Sequence, residues 1–215
     1  MSLAPEHRED LYKSGLIEAT IERCQFRSAR PHDIRRFSKV DSALVIPYFD
    51  LSGKLTGYER FKFYPSQIHE DGKEQKYSQG HGSDSELYIP PLHPWKEIAA
   101  DPTQLIVVTE GEKKSACACQ SGLFCLAVAG VWNWRVKLDR YERMVVPGLD
   151  LFVWQDRAVE MVPDSDVWRK EKFQALCGFY ALGMELVSRG AMVKFVKLPD
   201  SAQGKLGLDD WMVKQ

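Results

Sequence analysis

Two short acidic motifs in this chain have the residue types and the setting to handle phosphates. The first is Glu110-Gly111, which follows the apolar run Leu105-Ile106-Val107-Val108-Thr109. That run reads as a buried parallel strand carrying Glu110 to its C-terminal tip, with Gly111 permitting a tight turn into a helix near Lys113. The second motif, Asp164-Ser165-Asp166, follows Ala158-Val159-Glu160-Met161-Val162-Pro163. On an extended segment, carboxylates two positions apart share a side and lie roughly 6.5 Å apart at about 3.3 Å per residue. Such a pair can share one hard cation or two neighbouring ones. Three acids at the tips of two strands, with no His or Cys beside them, favour Mg²⁺ or Mn²⁺ over Zn²⁺. Ions held this way usually act on phosphates.

Plainer readings stand beside this one. Glu-Gly also serves as an ordinary strand-to-helix turn, and Asp166 is placed to cap a helix over 167–189. What joins the motifs into one candidate site is their order: strand, Glu-Gly, helix, strand, Asp-x-Asp, helix. In open α/β sheets the carboxyl ends of the strands are where ligands bind.

The elements that must position these acids follow from hydrophobic periodicity. Residues 6–27 are helical in pattern with a break at Ser14-Gly15. Residues 43–50 read as a strand, 51–54 as a turn, and 55–64 as a second strand alternating Tyr58, Arg60 and Lys62 against Glu59, Phe61 and Phe63. This predicts an antiparallel hairpin with one charged face. The polar stretch 65–85 reads as a mobile loop and the Pro-bearing 88–102 as a connector. A βαβ style then begins, with strand 105–109, helix 112–121, strand 123–128, a turn at 129–134, strand 158–163, helix 167–189 capped by Gly190, and strand 191–198. A boundary near residue 100 divides the chain into 1–100 and 101–215.

With 44 % hydrophobic residues in 215, the chain can bury a substantial core. A net charge of −1 gives no global mark of a nucleic-acid binder. Locally, Arg23, Arg27, Arg30, Arg35, Arg36 and Lys39 are opposed only by Asp33, a cluster suited to a phosphate backbone or to a solvated helical face. The five cysteines have no zinc-ligand spacing and are odd in number, which supports neither a zinc ribbon nor a disulfide framework. Four of them read as small core residues. His69, His81 and His93 lack ligand spacing and receive no role. No signal peptide opens the chain and no apolar run approaches the ~18 residues of a membrane span, so a reducing cytoplasm is expected.

Four motifs in order, Thr109-Glu110-Gly111-Glu112-Lys113-Lys114, Ala129-Gly130-Val131-Trp132-Asn133, Asp164-Ser165-Asp166 and Lys205-Leu206-Gly207-Leu208-Asp209-Asp210-Trp211, resemble the signature of the Toprim fold. That fold is shared by bacterial-type primases, topoisomerases and related nucleases. The nearer resemblance is to Toprim-like domains of primase-related proteins on plasmids, phages and integrative elements. The first half also resembles the subdomain ahead of Toprim in bacterial primases, through Ile46-Pro47-Tyr48-Phe49-Asp50, Gly57-Tyr58-Glu59-Arg60 and Lys76-Tyr77-Ser78.

The resemblance implies an α/β fold, a mostly parallel Rossmann-like sheet flanked by helices, preceded by a smaller α+β subdomain with an antiparallel hairpin. It further implies a primase-like nucleotidyltransferase of mobile-element replication, using Mg²⁺ or Mn²⁺. Its expected partners are single-stranded DNA, nucleoside triphosphates and a helicase or other replication protein. By position, Glu110, Asp164 and Asp166 become the catalytic and metal-binding acids, with Asp209 a further metal candidate whose other reading is the cap of a final helix. Arg60, Lys62, Lys76, Lys113, Lys114, Trp132 and Arg135 become nucleic-acid or nucleotide contacts. A Toprim nuclease and a non-catalytic binding or docking module are the alternatives. One departure stands out: bacterial primases usually carry an aspartate four residues after the motif glutamate, where this chain has Lys114. The chain also shows neither a zinc module nor a P-loop, so template selection and unwinding are expected to come from elsewhere.

Overall fold

The chain begins with α1 (Pro5–Lys13), whose Pro5 is preorganised for a first turn. Gly15 then turns the backbone at φ +74°, and a Cβ there would meet Val213 Cγ2 at 2.4 Å and Cys117 Sγ at 3.1 Å. The expected break therefore also lets distant segments close on the chain. After α2 (Glu18–Arg23), β1 (Arg27–Ser28) and α3 (Pro31–Ile34) come β2 (Ser42–Phe49) and β3 (Leu55–Ile68). These two form the expected antiparallel hairpin. Its turn is held by Asp50 Oδ1, which accepts the backbone N–H groups of Ser52 at 2.7 Å and Lys54 at 3.0 Å.

The computed structural model describes residues 3–35, 37, 40–69, 72–80, 83–137, 143–201 and 204–214; Arg36, Lys39 and His81 lie outside them. Within the described residues, the stretch expected to be a loop from 65 to 85 is largely strand. The second strand of the hairpin continues to Ile68, and β4 (Glu74–Gln79) pairs antiparallel with it, giving the sheet order β1-β2-β3-β4. Pro65 falls where the β3–β4 register is irregular, between Lys62 and Gln67, the place a strand tolerates proline. β4 is an edge strand with no fully buried residue, so its polar composition is compatible with pairing.

The second half supplies α4 (Trp95–Ala100), β5 (Ile106–Glu110), α5 (Glu112–Gln120), β6 (Cys125–Val128), β7 (Arg135–Lys137), β8 (Arg143–Val145), β9 (Ala158–Met161), α6 (Phe173–Ser188), β10 (Met192–Phe195) and α7 (Leu208–Val213). A four-stranded all-parallel sheet runs β10-β9-β5-β6. The α/β architecture expected from the sequence is the one observed, a parallel sheet with helices accompanied by an antiparallel sheet. The helix expected over 167–189 starts only at Phe173, because Ser165–Trp168 and Lys170–Lys172 form two short 3₁₀ turns first. Asp166 therefore caps no long helix, and Asp164-Ser165-Asp166 is a turn rather than an extended segment.

Burial explains the layering. Ile106, Val108, Leu126, Val159, Met161, Phe179, Leu182 and Leu186 form the core of the parallel sheet. A second buried cluster takes Leu11, Ile21, Leu44, Ile46 and Tyr48 from before residue 100 and Ala116, Cys117 and Ala127 from after it. Cys24, Cys117, Cys119 and Cys125 are buried free thiols, as the sequence suggests. Arg157 is wholly buried and donates to four backbone carbonyls, those of Ile98, Ala99, Gln104 and Val153. Two of these belong to the last turn of α4, where a cation is favoured. Among the described residues, no helix is long and apolar enough to cross a membrane.

Candidate functional site

Glu110 is the last residue of β5, as the apolar run before it predicts, and Gly111 turns the chain into α5 with φ +102° and ψ 133°. A residue with a Cβ is strained there. Asp164 follows β9, the strand beside β5. Thr109 Oγ1 donates to Val162 O at 2.9 Å and fastens the two strand ends together. The segment after β10 is brought alongside by a reciprocal pair: Ser165 N donates to Leu206 O at 2.9 Å, and Leu206 N donates to Ser165 Oγ at 2.9 Å. This lays Lys205-Leu206-Gly207 along the Asp-Ser-Asp turn.

The result is a cleft of about 330 Å³ lined by Glu110, Lys114, Lys205, Asp209, Arg60 and Lys76, among others. Asp164 is buried at its edge, with Oδ1 accepting from Lys114 Nζ and Oδ2 from Lys205 Nζ. Asp166 is half-buried, and Lys172 Nζ stands 4.0 Å from it. Burial and the charge of Asp164 push the Glu110 carboxyl above its usual range, against the pull of Lys114 and Lys205. Burial would lower Lys205, but Asp164, Glu110 and Asp166 outweigh it and hold the ammonium above its ordinary value. Glu110 and Asp164 thus share one neighbourhood with Lys114 and Lys205, and Asp166 lies at its margin. Among the described residues, no three His, Cys, Asp or Glu side chains are gathered into a metal-holding group. The donor set nevertheless suits a hard ion in kind, since it offers only carboxylate oxygen from adjacent strand ends.

The residues expected to contact phosphate divide into two groups. Lys76 is exposed at the cleft, 3.1 Å from Glu74, and Lys114 faces the acids. Arg60 is instead buried: its Nη1 donates to Glu112 Oε1 and, at 3.0 Å, to Ala129 O, while its guanidinium lies 5.0 Å over the Tyr77 ring. Tyr48 OH donates to the same Glu112 oxygen at 2.7 Å. Lys62 and Lys113 both converge on Asp10, Lys113 at 2.9 Å. Burial would raise Asp10, but the two lysines outweigh it and hold its carboxyl below the usual range. Arg60, Lys62 and Lys113 thus join the antiparallel sheet and α1 to α5. Trp132 is exposed with the Arg135 guanidinium 4.9 Å over its ring, while Trp134 is buried.

Asp209 is buried at the cleft, and Asp210 Oδ2 accepts Gly207 N at 2.8 Å, the capping role that was the alternative reading of this pair. Of the basic cluster, Arg27 pairs with Glu59 and Arg30 with Asp33; Arg27 lies on β1 and Arg30 at the N-cap of α3, not on one helical face. His69 and His93 engage Gln75 and Leu123 O. Sequence reasoning assigned no role to Lys205, Gly207, Glu112 or Asp10. Lys205 and Gly207 lay in the fourth motif and Glu112 in the first, whereas nothing around Asp10 distinguishes it.

Residues 94–215 match the family described as Domain of unknown function (DUF3854), and the chain belongs to that family. An uncharacterised protein of Picosynechococcus sp. (strain ATCC 27264 / PCC 7002 / PR-6) is 29 % identical over 128 residues, which are 56 % of this chain; the match spans 12 % of that relative's length. Among solved structures, the catalytic core of DnaG aligns over 100 % of this chain and 70 % of its own, with a TM-score of 0.61 and 18 % identity. A DnaG primase catalytic domain bound to single-stranded DNA gives 0.60 and 18 %, covering 100 % of this chain and 71 % of that one. The Escherichia coli primase catalytic core gives 0.58 and 17 %, covering 97 % and 68 %. The fold is therefore that of a primase catalytic core.

Proposed function

We propose that this chain is a Toprim-type, primase-like nucleotidyltransferase module that engages single-stranded DNA and nucleoside triphosphates in the Glu110–Lys114–Lys205 cleft. The observation that carries the reading is the meeting of Glu110 and Asp164, from neighbouring strand ends, with Lys114 and Lys205 at one cleft, within a chain whose whole length aligns with part of a primase catalytic core. Lys76 and Lys205, both exposed, offer ammonium groups to phosphate oxygens. Glu110 is the carboxylate placed to accept the proton of an attacking 3′-hydroxyl. Asp164 and Asp166, with Glu110 at their side, would hold Mg²⁺ or Mn²⁺, which supplies charge neutralisation at the transferred phosphoryl group. Replication of a mobile element, with a helicase as partner, is the setting this reading implies.

Asp164, with a lysine on each oxygen, favours a second reading in which the cleft binds nucleic acid without chemistry. Incorporation of labelled nucleotides on a single-stranded template in Mg²⁺ or Mn²⁺ decides between them. Template-dependent product is expected from wild type, with a loss of about 10²-fold or more in Glu110→Gln. Strand binding without product from either protein would establish the binding module. Cleavage of DNA without nucleoside triphosphates would make it a nuclease.

A further inference from the structure

Lys114 is set against Asp164 by more than charge. The backbone of residue 207 has φ −88° and ψ 171°, a conformation any residue adopts, so the glycine there is not required by its dihedrals. The space it leaves is occupied by side-chain ends: a Cβ at Gly207 would stand 2.9 Å from Lys114 Cε, 3.3 Å from Asp164 Oδ1 and 2.7 Å from Asp209 Oδ1, and these would have to shift to admit it. Gly207 is thus a seat over which the lysine stem passes to reach a buried carboxylate. The Lys114 side chain retains 16 % exposure, against 54 % for Lys205, so Lys114 is the fixed cation and Lys205 the solvated one.

We propose that Lys114 is a resident cation of the acid cluster, occupying at Asp164 the place a divalent ion would take, so that lysine and ion compete for that carboxylate. A divalent ion beside an ammonium in a partly buried cleft meets like-charge repulsion, and Lys114 already holds Asp164 Oδ1. An ion therefore binds more weakly while Lys114 keeps its seat. The inference rests on the ion-binding part of the reading above, and its test measures binding rather than product, so failure of one is distinguishable from failure of the other.

The test is Mn²⁺ titration of the whole chain, followed by the paramagnetic resonance signal of the free ion. Lys114→Met is expected to bind Mn²⁺ at least tenfold more tightly than wild type. Lys114→Gln, which keeps a polar end without the charge, is expected to shift affinity the same way; it carries the test should Lys114→Met fail to fold. Adding Asp164→Asn to either variant should abolish the gain. Equal Mn²⁺ affinity in wild type and the folded variants would overturn the proposal, as would a gain that survives Asp164→Asn.

Discussion

Glu112 is the residue through which the two halves of the sequence are most directly joined. It sits at the first position of α5, 2 % exposed, and one of its oxygens receives both Tyr48 OH and Arg60 Nη1. Burial disfavours the Arg60 charge, but Glu112 beside it outweighs that and raises the guanidinium above its ordinary value. A buried pair of this kind contributes little net stability relative to an apolar pair, yet removing one partner strands the other charge without a counter-ion. Glu112→Ala is therefore expected to lower unfolding free energy by about 3–5 kcal/mol, read from the urea midpoint with an unchanged slope. A loss under ~1 kcal/mol would mean that water reaches Arg60 once the carboxylate is gone. The same residues show how much of the site can be read from a sequence. Glu110 and Asp164 are legible because a strand end after an apolar run fixes their place. The pairing of Arg60, Lys62 and Lys113 with acids is not, since Asp10 and Glu112 are distant in sequence from most of the lysines and arginine they neutralise.

At the scale of elements, α1 is held on the antiparallel sheet by His7. Its Nδ1 lies 2.8 Å from Ser28 Oγ, and its Nε2 lies 3.1 Å from Ser42 Oγ. Ser42 Oγ donates to Glu6 Oε1, so it accepts from Nε2–H, and Nδ1 is left as the acceptor of the Ser28 hydroxyl. The neutral ring satisfies this chain, and burial depresses the His7 pKa despite the opposing charges of Glu6 and Asp10, with Lys62 adding to the depression. A histidine whose folded pKa is lowered stabilises fully above its unfolded value of about 6.5 and loses that contribution as pH falls toward the folded value. Chemical denaturation midpoints should thus decline below pH ~6.5 in wild type, and His7→Gln should flatten that decline. A variant with an unchanged pH profile would assign the acid sensitivity to other groups. Elements were legible where composition and pairing agree, as in β5 and α5. They were not where pairing outweighs composition: β4 is polar but has β3 to bond with. The start of α6 was hidden as well, because the chain from Asp164 to Lys172 goes into two tight turns that place Asp164 against Lys205.

At the scale of the whole molecule, a net charge of −1 provides no long-range attraction for a polyanion. Several of its cations are already balanced locally: Arg27 by Glu59, Arg30 by Asp33, and Lys62 and Lys113 by Asp10. Arg60, Lys113 and Lys114 also line the cleft but are held by Glu112, Asp10 and Asp164, so the exposed cations that face it are Lys76 and Lys205. If these two hold a single strand, each phosphate neutralised contributes about −0.7 to the slope of log affinity against log salt. The expected slope for an oligonucleotide measured by fluorescence anisotropy is therefore shallow, about −1.4. Lys76→Ala with Lys205→Ala should weaken binding and bring the slope close to zero. Folding is not at stake in this pair, because both side chains are more than half exposed. A wild-type slope steeper than about −4, or a slope indifferent to both substitutions, would mean that another surface carries the strand. The exposed Arg23 and Arg35, which flank the paired Arg27 and Arg30, would then be the next residues to change.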